Sequence, residues 1–109
     1  MKNFLEEQFD NICKSIPTYA LSDEIGLDTE TSYVLNLETE ANYLIALKYL
    51  KEICPDSNGI DEKYIGKKII MELYRNGHNE WWFCNHGIVE EYLNNVKITL
   101  ERYMSDIQW

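Results

Sequence analysis

Apolar residues recur at helical spacing in several stretches of this chain. From Lys2 to Ile16, Phe4, Leu5, Phe9, Ile12, Cys13 and Ile16 share one face and Glu6, Glu7, Asp10 and Lys14 mostly the other, which predicts an amphipathic helix. Pro17 ends it, because a residue preceding proline is pushed out of helical geometry. A second helix is expected from Asn36 or Leu37 to Ile53, with Leu37, Ala41, Leu44 and Leu47 among its apolar positions. Glu38 and Glu40 fall in its first turn and Lys48 and Lys51 near its end, as the helix dipole favours. Val89, Leu93, Val96, Leu100, Tyr103 and Ile107 follow at spacings of 4, 3, 4, 3 and 4, a helical seam over the last segment, Ile88 to Ile107.

Between these stretches the pattern is weaker. Residues 18–35 scatter Ser22, Asp23, Gly26, Asp28, Thr29, Thr31 and Ser32 among a few apolar anchors and read as a long loop, with a short helical turn near Ser22 to Ile25. Cys54 to Gly59 reads as a turn. Asp61 is the expected N-cap of a third helix, with Ile60 and Ile65 as a hydrophobic staple; Ile65, Ile69, Ile70, Leu73 and Tyr74 form its apolar face and Asn76-Gly77 its stop. The rival reading is a hairpin, Lys68 to Tyr74 paired with Glu80 to Cys84 around Asn76-Gly77. The segment Arg75 to Asn79 is longer than the two-residue loop that this dipeptide favours, so the helix is preferred. The expected architecture is therefore all-α, an irregular four-helix bundle over residues 1–109 as a single acidic domain. The alternative is α+β with a hairpin near 68–84.

Charge sharpens the picture. Residues 1–40 carry nine acids against two bases, residues 41–109 ten against eight, and the net charge is −9. Such a surface attracts basic partners and repels nucleic acid and anionic lipid. A hydrophobic content of 45% excludes a disordered chain. The longest apolar run, Tyr43 to Leu47, is five residues, against roughly 20 for a membrane helix. The acidic N-terminus lacks the apolar stretch of a signal peptide, and the odd, widely spaced Cys13, Cys54 and Cys84 do not form a disulfide framework. A cytoplasmic protein with reduced thiols is expected.

Candidate chemistry is sparse. Cys84-Asn85-His86, with His78 nearby, resembles part of a metal or nucleophile site, but completing a zinc set would require Cys13 and Cys54 from apolar faces. Neither metal, cofactor nor catalytic residue is expected. Asp23, Glu24, Asp28 and Glu30 lack the alternate oxygen ligands of a calcium loop. Trp81 and Trp82 are adjacent, so in a helix or strand they point different ways, one toward a core and the other toward a partner. Exposed aromatics of this kind dominate many interfaces.

These features suggest a protein-binding domain, not an enzyme, that neutralises a basic partner, as immunity or anti-defence inhibitors of nuclease-like toxins do. Asp23, Glu24, Asp28, Glu30, Glu38 and Glu40 supply the charge, and Trp81 or Trp82 the anchor. The other reading is a helical adaptor or self-associating module, resting on the seam from Val89 to Ile107. The deficit of bases excludes phosphate neutralisation, and a gel-shift titration with duplex DNA or RNA at physiological salt should show no saturable complex.

Overall fold

The structure, a computed structural model, describes residues 3–16, 31–54, 59–91, 98–107 and 109, with the side chains of 98–101 excepted. The chain is α+β. Four antiparallel strands form one sheet in the order β1-β2-β3-β4: β1 is Cys13–Ser15, β2 Ser32–Leu37, β3 Lys67–Arg75 and β4 Trp81–Ile88. Helices α1 (Phe4–Ile12) and α2 (Glu40–Ile53) cover one face, and α3 (Ile98–Asp106) lies against the other.

The all-α bundle is thus overturned, and the reason lies in β2 and β3. Val34, Leu35 and Leu37 on β2 and Ile69, Ile70 and Met71 on β3 are all 0% exposed. Leu35, Leu37, Ile69 and Met71 pack toward α1 and α2, while Val34 and Ile70 pack with Ile16, Val89 and Tyr103 on the other side. Strands buried on both faces lose the polar/apolar alternation by which a half-buried strand is recognised. Their run of apolar residues then mimics a helix stripe in β3 and irregular chain in β2.

The hairpin rejected on loop length is the one that forms. Its five-residue connection is organised by Asn76, whose side-chain oxygen accepts from the backbone N–H of His78 (2.8 Å) and of Glu80 (3.1 Å). The Asn76 N–H donates to the Glu80 carbonyl at 2.9 Å, closing the loop across its base. Asn79, not Gly77, adopts the left-handed conformation, at φ 67°. Asparagine tolerates that region, so the longer loop needs no glycine at the turning point.

The helices also differ from the periodicity. α1 stops at Ile12 because Cys13, Lys14 and Ser15 pair with Leu35, Val34 and Tyr33. α2 begins at Glu40, its N-cap Thr39 accepting from the Asn42 N–H at 3.1 Å. It buries Tyr43, Ala46 and Leu50 and leaves Leu44 53% exposed. Asp61 does cap, its carboxylate accepting from the Lys63 N–H, but it opens only a 3-10 turn, Glu62–Tyr64. Of the expected C-terminal seam, Val89, Tyr103 and Ile107 pack on the chain's own sheet, and the Tyr103 hydroxyl donates to the Ser15 carbonyl. Leu93, Val96, the side chain of Leu100, and the expected turn at 55–58 lie outside the described residues. Among the described residues, no helix is long and apolar enough to cross a membrane.

Replacing Asn76 by Ala should cost about 1–2 kcal/mol, because it removes the acceptor shared by two loop N–H groups. Gly77 has ordinary φ and no atom within 4 Å of an added Cβ, so Gly77→Ala should be neutral or slightly stabilising. Urea melts of the two variants check this; the reverse ranking would place the turn on Gly77.

Candidate binding groove

One groove, about 530 Å³ in volume, opens on the helix-covered face at the hairpin end of the sheet. α1 contributes Glu6, Phe9 and Asp10 to its wall, and α2 contributes Tyr49. The floor comes from Cys13 on β1, Tyr33 on β2, Leu73 on β3 and Trp81 on β4. Glu6 and Asp10 are one helical turn apart, which sets them along one side of α1. Phe9 stacks on Tyr49 with ring centroids 4.4 Å apart, fixing α1 against α2. The groove therefore joins two carboxylates to three aromatic rings besides Phe9. Lys14 also lines it and reaches back to the Asp10 carbonyl at 3.4 Å.

Burial marks the floor chemically. The Cys13 thiol is pushed up to about 12, mainly by removal from water, with the Asp10 charge adding to the effect and Lys14 opposing it. The Tyr33 phenol is raised in the same direction, by burial first and then by Cys13 and Asp10. Both groups stay neutral at physiological pH, so the fixed negative charge of the groove belongs to the α1 carboxylates.

Trp81 carries a second feature. The Arg75 guanidinium lies over its indole, 4.9 Å from the ring centroid, a cation–π contact within the hairpin. Arg75 and Trp81 are paired across β3 and β4, so strand register alone brings them together.

The expected site residues separate in the structure. Glu38 pairs with Lys68, and Glu40 begins α2. Both follow Leu37, whose strand partner is Lys67, whereas Trp81 is paired with Arg75 at the far end of β3. Eight steps along the strand, about 27 Å at 3.4 Å each, separate those positions. The structure does not bring Glu38 and Glu40 to the tryptophans. Asp23, Glu24, Asp28 and Glu30 lie outside the described residues. Trp81 and Trp82 do part company: Trp81 enters the groove, and Trp82, 49% exposed, points to the opposite face. Glu6, Asp10, Tyr33 and Tyr49 escaped the sequence reading. The i, i+4 acid pair on α1 was the available signal, but only the sheet shows what it faces.

The Cys84–His86 stretch lies on that opposite face. His86 Nε2 is 2.6 Å from Glu72 Oε1, and the Thr31 hydroxyl donates to Glu72 Oε2 at 3.0 Å. Cys84 is exposed and directly across from Glu72 in register, while His78 is exposed in the hairpin loop. Among the described residues, no group of three or more His, Cys, Asp or Glu is arranged to hold a metal ion. No protein family, curated protein or solved structure matches the chain.

The thiols should divide by exposure. At pH 8 a maleimide should modify the exposed Cys84 quickly, the partly exposed Cys13 slowly because its thiol is held protonated, and the buried Cys54 only on unfolding. An unfolded Cys13 thiol ionises near 9.0 and the folded one near 12, so the unfolded state sheds its proton first as pH rises. Folding stability should therefore be unaffected below about pH 9 and fall between about 9 and 12, less steeply in Cys13→Ala. Urea melts at pH 8 and pH 10 measure the slope.

Proposed function

We propose that this chain is a small acidic binding module that captures a basic protein partner in the cytoplasm. The observation that carries the reading is the groove in which Glu6 and Asp10 face Tyr33, Tyr49 and Trp81. A guanidinium or ammonium entering it meets carboxylates on one wall and π-faces on the floor, the two chemistries that hold a desolvated cation. The Arg75–Trp81 contact supports this, since the same indole already stacks a guanidinium from its own hairpin.

The overall charge of −9 acts at longer range. It accelerates encounter with a basic surface, while the groove sets how long the complex lasts. Asp23, Glu24, Asp28, Glu30 and Glu40 belong to this steering role; Glu38 contributes less, because Lys68 offsets it. An inhibitor of a nuclease-like toxin or effector fits this chemistry, because its carboxylates would occupy the partner's phosphate-binding positions.

Titration with a hexa-arginine peptide, followed by NMR, tests the reading. Shifts should concentrate at the Trp81 indole, Tyr33 and the amides around Glu6 and Asp10. Glu6→Lys with Asp10→Lys should abolish them, and Trp81→Ala should weaken binding by about 2 kcal/mol or more. Peptide binding that these variants leave unchanged would refute the groove as the site.

A further inference from the structure

Among the described residues, the outer edge of β4 has no strand partner: β4 ends the sheet, and only β3 pairs with it. The Leu73 N–H donates to the Thr31 carbonyl, so the odd-numbered residues of this part of β3 bond toward β2 and the even-numbered ones toward β4. Glu72 and Tyr74 therefore bond Cys84 and Trp82, consistent with the Asn76 to Glu80 bond that follows in phase. The backbone N–H and C=O groups of Trp81, Phe83 and Asn85 consequently face outward. The other edge is blunted, since β1 has three residues and one of them is Lys14. β4 bends at the bulge beside His86, but ahead of that bulge, from Trp81 to Asn85, it holds no Lys, Arg, Asp, Glu or Pro, in a chain that is 27% charged.

We infer that this edge pairs with β4 of a second copy, antiparallel and centred on Phe83, joining two sheets into one. This register uses every outward group, with Trp81 opposite Asn85 of the second copy, Phe83 opposite Phe83, and Asn85 opposite Trp81. Trp82, half exposed in the single chain, falls opposite Cys84 of the second copy at a closely spaced, non-hydrogen-bonded pair. The arrangement is isologous and closes at two copies. The remaining charge of each copy opposes association, so added salt strengthens the dimer, whereas it weakens capture of a basic partner.

Sedimentation equilibrium of the full chain near 100 µM should give twice the 12.9 kDa chain mass, shifting further toward dimer as salt is raised. Trp82→Cys, oxidised mildly, should yield a covalent dimer whose tryptic map shows residue 82 joined to residue 84 of the other copy, since such pairs meet disulfide geometry. The double variant Trp82→Lys, Cys84→Lys sets lysines opposite lysines across the interface while leaving residue 84 beside Glu72 within its own chain. It should keep the native circular dichroism spectrum and dimerise at least about tenfold more weakly. A chain of monomeric mass throughout, or a dimer indifferent to the lysine pair, would overturn the inference. The variants spare Glu6, Asp10, Tyr33 and Trp81, whose indole lines the groove while only its backbone joins the edge, so the hexa-arginine titration tests the groove separately.

Discussion

The pairing of β2 with β3 is the contact on which the rest of this molecule depends. Ser32 to Leu37 run against Glu72 to Lys67 in unbroken register, and the apolar residues at the centre of both strands are fully buried. Each strand sends side chains to both faces, so the pair nucleates two cores at once. One is closed by α1 and α2, the other by α3. Removing such a pair from water is the main source of stability available to a chain of 109 residues.

That constraint explains where chemistry has room. The middle of the sheet is committed to packing, and its buried polar residues, Ser32 and Asn36, are few. The hairpin end leaves more room for polar and aromatic side chains. There Arg75, Trp81 and the α1 carboxylates frame the groove on one face. On the other, Glu72 holds both Thr31 and His86. The bulge between Ile70 and Met71 shifts the register of β4 so that His86 reaches Glu72, with Gly87 supplying the positive φ of 104° that the bend requires.

The two surfaces at this end divide the work between side chains and backbone. In the proposed function the groove is read by side chains, carboxylates and rings, whereas the proposed pairing of β4 with a second copy is read by main-chain ladder hydrogen bonds. If both proposals hold, a dimer would carry two grooves for a basic partner, and avidity would rise without a new contact.

Some of this was decided by local sequence. The amphipathic α1, the capping roles of Thr39-region residues and Asp61, the acidic balance and the opposite orientations of Trp81 and Trp82 all follow from neighbours within a few positions. The sheet did not, because a strand covered on both faces has no period of its own. Ile69 and Ile70 read as a helix stripe until Val34 and Leu35 are set beside them, more than thirty positions away. The hairpin was likewise hidden in a side-chain detail, since Asn76 organises a five-residue loop that backbone turn rules alone disfavour. The groove is the furthest from local information: Glu6 and Trp81 are 75 positions apart in the chain, and only the sheet between them brings a carboxylate and an indole to one opening.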